Sequence, residues 1–127
     1  MRRVFLSFKI EDKPYVDGIR LMKFHPSTSL EFYDESVRSP YNSVNANYIR
    51  GKIKAKIERC SRTICLLGEH THASEWVNWE LETAIANGHK ILIMGRKDGP
   101  TRLRLPPVVS HMGWSLWDPS ALIEFCQ

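Results

Sequence analysis

No stretch of this chain approaches the roughly 20 consecutive apolar residues that a membrane-spanning helix needs, and no secretory signal pattern opens it. Cysteine is scarce: Cys60, Cys65 and Cys126 are the only three. They form no even framework, so the expectation is a reducing, cytoplasmic setting with Cys60 and Cys65 as core fillers. No G-x-G-x-x-G follows the first apolar run and no G-x-x-x-x-G-K-[ST] occurs, which excludes dinucleotide-Rossmann and P-loop readings. No serine stands in a G-x-S-x-G elbow. A phosphoreceiver needs an aspartate closing its third strand, and Gly68-Glu69 stands there instead. His70 and His72 lie two apart on a loop without matching cysteine or carboxylate spacing, so no metal site is expected.

What is present is ordinary in bulk. The 127 residues suffice for a single domain, 1–127, with one core. With 43% hydrophobic and 25% charged residues the composition is that of a soluble globular protein. A net charge of +4 permits an anionic ligand without requiring one.

Along the chain, Arg3 to Phe8 reads as a buried strand. Glu11 and Asp12 are cap candidates for a helix with Pro14 in its first turn and Tyr15, Ile19 and Met22 on its stripe. His25 to Ser29 reads as a loop, and Leu30 to Tyr33 alternates as an edge strand does. Asp34 to Ser43 is polar and without periodicity. A loop of that length is expected to be mobile or held by a neighbouring chain, and to cover a site. Asn45 to Cys60 stacks Ile49, Ile53 and Ile57 on one helical stripe, with a basic face opposite. Thr63 to Leu67 and Ile91 to Met94 are uniformly apolar, as strands covered on both faces are. Between them runs a helix capped by Ser74 and stopped by Asn87-Gly88. Trp114 to Trp117 predicts a last short strand, and Asp118-Pro119 opens a terminal helix.

This alternation of strands and helices predicts an α/β fold: a five-stranded parallel sheet with right-handed crossovers and helices on both faces. The flavodoxin-like strand order 2-1-3-4-5 is the simplest version. Its binding crevice lies at the carboxyl ends of strands one and three. Ser7, Phe8 and Lys9 leave strand one there, and Asp34 leaves strand two beside them.

The helix from Ser74 to Ile85 enters from the same rim. Val77, Leu81, Ala84 and Ile85 form its apolar stripe, and Glu80 lies one turn after Trp76 at the stripe's margin. Two readings stay open from spacing alone: a boundary carboxylate paired with one of the many basic residues, or a functional carboxylate at the crevice.

Two of these segments together carry a family resemblance. Arg2 to Phe8 resembles the first strand of TIR domains, especially the TIR-like proteins of the bacterial Thoeris anti-phage system. Trp76-Val77-Asn78-Trp79-Glu80 is similar to the W-C-x-x-E motif of enzymatic TIR domains, with Val77 in the cysteine's place. Asp34 to Pro40 lacks the glycine usual in the corresponding loop. The resemblance runs over nearly the whole chain and implies that Glu80 is the catalytic glutamate of an NAD⁺-cleaving domain. It further implies a cyclic ADP-ribose isomer as product, a separate effector protein that responds to it, a phage-derived trigger and a homo-oligomer on activation. NAD⁺ is then substrate, no cofactor is needed, and neither membrane nor nucleic acid is a partner.

One carboxylate suffices for such a reaction because nicotinamide leaves a pyridinium as a neutral molecule and needs no acid. The site has to stabilise a ribosyl oxocarbenium ion, which a carboxylate does. On this reading Trp76 and Phe8 stack on rings, Lys9 or a residue of the basic helix meets the diphosphate, and Ser7 and Asp34 line the crevice. Two other classes stay open: a TIR-type interaction module without turnover, and a nucleoside-processing enzyme such as a deoxyribosyltransferase, which also places a glutamate near ribose.

Overall fold

The computed structural model describes residues 2–20, 28–31, 40–96 and 102–127. Five strands, β1 (Arg2–Ser7), β2 (Thr28–Glu31), β3 (Arg62–Leu67), β4 (Lys90–Gly95) and β5 (Ser115–Leu116), form one sheet in the order 2-1-3-4-5. Every pair is parallel, with Leu6 opposite Ile64 and Ile64 opposite Leu92. Helices α1 (Lys13–Arg20) and α4 (Pro119–Cys126) cover one face; α2 (Ala46–Arg59) and α3 (Glu75–Ala86) cover the other.

Strand periodicity sorts the core. Val4, Leu6, Ile64, Leu66 and Met94 point towards α1 and α4, where Val16, Ile19, Leu122 and Cys126 meet them. Phe5, Cys65, Leu67 and Ile93 point the other way, under Ile49 and Ile53 of α2 and Val77 and Leu81 of α3. Ser7 is on this second face, a buried hydroxyl among apolar neighbours.

The expected punctuation is present. Ser74 Oγ accepts from the Val77 N–H at 3.2 Å, and Asp118 Oδ1 accepts from the Ser120 N–H at 3.0 Å. Gly88 takes the left-handed conformation (φ 76°) just after α3, a conformation a Cβ disfavours. Cys60 and Cys65 are buried fillers, and Cys60 Sγ also donates to Glu31 at 3.2 Å.

Two expectations need correction, and others fall outside the described residues. The edge strand begins at Thr28, inside the segment read as loop, because Thr28 to Glu31 pairs in register with Arg2 to Phe5. Phe32, Tyr33 and Met22 lie outside the described residues, as do residues 34–39 of the long loop. Its described end is ordered: the Ser43 N–H donates to Pro40 and the Ala46 N–H to Ser43, both at 3.0 Å. Ile85 is exposed, not part of the stripe. At about 100° per residue, the buried arc of Trp76, Val77, Glu80, Leu81 and Ala84 is centred on the Glu80 side of Val77, which turns Ile85 out.

At the carboxyl rim, Asp12 is fully buried in the turn after β1. Its carboxylate pairs with Arg96, which follows β4, at 3.1 Å, and accepts from Thr71 Oγ1 at 3.5 Å. Thr71 Oγ1 in turn accepts from the Gly68 N–H at 2.7 Å. Arg96 also lies 4.2 Å over the Tyr15 ring. This cluster ties the ends of β1, β3 and β4 together. A side chain on Gly68 would occupy the space of the Asp12 carboxylate. Gly68→Ala should therefore lower stability by about 1–3 kcal/mol by forcing Asp12 off Arg96. Chemical denaturation checks this; an unchanged midpoint would mean that Asp12 moves aside at no cost.

Candidate functional site

Glu80 sits on the buried arc of α3, not at its margin, and only 3% of it is exposed. One oxygen, Oε1, accepts from Ser7 Oγ at 2.9 Å, which joins the last residue of β1 to the middle of α3. Among the described residues it has no cationic partner. Its burial sets aside the reading of a surface carboxylate at the margin of the stripe. Burial drives its pKa up to about 8, and the Ser7 hydroxyl offsets only part of that rise. At neutral pH the resting carboxyl is therefore mostly protonated. The same carboxylate and Asp12 both push the fully buried Cys65 thiol upward, behind its desolvation, so this thiol is inert.

Trp76 stands one turn before Glu80 and is buried. Tyr41 meets it edge-on at 5.1 Å and Trp79 at 6.3 Å, while the Arg50 guanidinium lies 4.3 Å over Tyr41 and 5.6 Å over Trp76. Arg50 also donates to the Tyr41 carbonyl at 2.9 Å. This aromatic and guanidinium stack bridges α2, α3 and the chain just beyond residues 32–39.

The remaining candidates separate. Lys9 stands before a 3-10 turn, Ile10–Asp12, its carbonyl accepting from the Asp12 N–H at 2.8 Å. No ion pair engages its ammonium among the described residues. Phe8 packs with Leu6 and Val16 in the core under α1 and α4, across the sheet from Ser7 and Glu80. Asp34 lies outside the described residues. Ser7 and Glu80 are thus brought into direct contact, Trp76 shares their side of the sheet, and Phe8 does not. His70 is held by Glu11 at 2.9 Å. Among the described residues no group of three or more His, Cys, Asp or Glu could hold a metal.

Sequence reasoning missed the Asp12–Arg96 pair and the Tyr41–Arg50 stack. A buried run that ends directly in arginine, as Ile93-Met94-Gly95-Arg96 does, is a signal for the first. Nothing local announces the second, because Tyr41 lies in a segment without periodicity.

The Glu80 shift has a stability signature. Between its ordinary value of 4.5 and about 8, the folded chain holds a proton that the unfolded chain has lost. Stability then falls as pH rises through that window, by an amount on the order of a few kcal/mol. Glu80→Gln keeps the shape and carries no charge. Its melting temperature should exceed the wild type's by a margin that widens from pH 5 to pH 8. A margin constant with pH would show a solvated, ordinarily titrating Glu80.

Comparison with known proteins fits this geometry. A family model described as "Thoeris protein ThsB, TIR-like domain" matches residues 5–98. Among curated proteins, none matches the sequence significantly. The TIR domain of the Toll-related receptor TRR-2 from Hydra magnipapillata superposes with a TM-score of 0.58 at 18% identity, covering 96% of this chain and 90% of that one. A 2-desoxiribosyltransferase from Leishmania mexicana gives 0.57 at 18% identity, covering 94% of this chain and 76% of that one. At such identity both likenesses speak for the fold alone. The match of the family model over residues 5–98 carries the assignment: the chain belongs to the TIR-like domain family of the Thoeris protein ThsB.

Proposed function

We propose that this chain cleaves NAD⁺ at the bond between nicotinamide and ribose, that the product is a cyclic ADP-ribose isomer acting on a separate effector protein, and that Glu80 carries the step. The observation that supports this most is a buried carboxyl with a hydroxyl donor and no cationic partner among the described residues. Such a group is costly to ionise in the resting chain. A cationic substrate changes that balance, because a positive charge within a few ångströms favours the carboxylate. Positive charge on the ribose grows towards the transition state, so the interaction is strongest where it accelerates the reaction.

In this reading Ser7 orients the Glu80 carboxylate, leaving the second oxygen for ribose hydroxyls. Trp76 walls the site, Lys9 or a residue of the basic face of α2 meets the diphosphate, and Asp34 is a further substrate contact in the same proposal. Phe8 serves as a stacking surface only if its ring leaves the core under α1 and α4. A homo-oligomer and a phage-derived trigger belong to the same proposal, and they account for a resting Glu80 that is nearly closed to solvent.

The test compares wild type with Glu80→Gln, purified and in phage-infected cells, following NAD⁺, nicotinamide and new nucleotides by mass spectrometry. The expected loss on substitution is on the order of 10²–10³ in rate. In the purified protein kcat/KM should climb as pH rises towards about 8, as the free carboxyl ionises. Intact NAD⁺ in both settings would leave a TIR-type interaction module as the better reading. A loss of only a few-fold would make Glu80 a positioning residue.

A further inference from the structure

Glu80 is not the only group on this side of the sheet without a counter-charge. Arg50 of α2 is half-buried, and the acceptors of its guanidinium are both neutral. Nη1 donates to Asn47 Oδ1 at 2.8 Å and Nη2 to the Tyr41 carbonyl at 2.9 Å. Arg96 and Arg59, by contrast, each face a carboxylate, those of Asp12 and Glu31. A guanidinium keeps its charge at any ordinary pH and has more N–H donors than these two bonds use. Arg50 therefore holds a partly desolvated positive charge with donors to spare, the same imbalance as Glu80 with the sign reversed.

The two groups stand at either end of one tryptophan. Trp76 precedes Glu80 by one turn of α3, about 5.4 Å along the axis. The Arg50 guanidinium lies 5.6 Å from the centre of the Trp76 ring. A buried carboxyl, an indole and an uncompensated guanidinium thus follow one another between α2 and α3. The amino end of α2 adds to the positive pole, because its first turn has no acidic residue and Asn45 makes no side-chain cap.

We propose that Arg50 anchors the substrate's phosphate, so that the site selects a pyridinium nucleoside bearing a 5′-phosphate or diphosphate over the unphosphorylated nucleoside. This rests on the reading of Glu80 as the group that meets the ribosyl-pyridinium end of NAD⁺. The two uncompensated charges then match the two poles of one substrate: carboxylate to the cationic ring and ribose, guanidinium to the anionic phosphate. The free N–H groups of Arg50 form a fork that suits two phosphate oxygens. Asn47 and the Tyr41 carbonyl already aim that fork, which lowers the ordering cost of binding. The phosphate takes no part in breaking the nicotinamide–ribose bond, so its contact is equal in ground and transition states. Losing it raises KM and leaves kcat in place.

Calorimetric titration of wild type, Arg50→Gln and Arg50→Lys with NAD⁺, nicotinamide mononucleotide and nicotinamide riboside tests this. The last two ligands differ only by the phosphate. Wild type should bind both phosphorylated ligands about tenfold or more tighter than the riboside, the scale of charged hydrogen bonds. Arg50→Gln should erase that preference while riboside affinity stays unchanged. Arg50→Lys should retain part of it, since lysine keeps the charge and loses the fork. A preference that survives in Arg50→Gln overturns the proposal. An equal loss for all three ligands overturns it as well, because that is what an arginine merely propping Tyr41 and Trp76 predicts. So does a wild type that binds none of them. The expected binding pattern without nicotinamide release would remove the cleavage reading and keep the phosphate anchor; cleavage with an unchanged preference would do the reverse.

Discussion

A carboxyl group held between a sheet and a helix by a single hydroxyl is the constraint on which this site turns. Burying an unpaired carboxylate is costly enough that such groups usually neutralise, and Glu80 does so. Ser7 keeps it in place because strand alternation points that residue, alone among the buried inward positions of β1, at α3 with a donor. The register of β1 against β3, with Ser7 opposite Cys65, sets how far up the sheet that donor stands. A one-residue slip in β1 would turn Ser7 to the other face and take the hydroxyl donor away from Glu80. The helix caps at Ser74 and Gly88 fix the axial position of α3, and its rotation is set by Val77, Leu81 and Ala84.

The comparison of Glu80 with Asp12 shows what is particular about it. Both are buried, and in both desolvation is the largest influence and pushes the pKa up. Asp12, however, has Arg96 and Thr71 opposing that rise, and breaking such a buried pair by removing one partner typically costs on the order of 3–5 kcal/mol. It is a tie between strand ends, and Gly68 is glycine to make room for it. Glu80 has a hydroxyl and no counter-charge among the described residues. The first arrangement is complete in itself. The second gains from a positive charge arriving beside it.

How much of this was legible in the sequence follows from the range of each signal. Uniformly apolar runs at Thr63–Leu67 and Ile91–Met94 separated by a capped helix dictate buried parallel strands, and 2-1-3-4-5 is the simplest order that right-handed crossovers allow. Ser74, Gly88 and Asp118 were readable because capping is local. The placement of Glu80 was only half readable. Periodicity centred on Val77 put it at the margin, but the burial of Trp76 shifts the arc by roughly a third of a turn-step and takes Glu80 inside. Phe8 shows the opposite limit: its position after β1 put it at the rim, while its side chain went to the other core. The Asp12–Arg96 pair spans 84 residues, and no pattern within a helix or a strand encodes a contact of that separation.

Fold likeness does not choose between chemistries for this chain. A receptor TIR domain and a 2-desoxiribosyltransferase superpose on it equally well, with TM-scores of 0.58 and 0.57 and the same 18% identity. Shared architecture delivers a crevice at the carboxyl ends of β1 and β3 in any such protein, whatever is done there. Discrimination has to come from what the chain spends on the site. A pure scaffold would gain stability by replacing Glu80 with an apolar or amide side chain, since the buried carboxyl works against folding at every pH above its ordinary range. An interaction surface would put its polar groups outside, as α3 does with Glu75 and Glu82. Keeping an uncompensated acid inside, one turn beyond a tryptophan and bonded to the end of the first strand, is the kind of local cost that folds bear at functional sites.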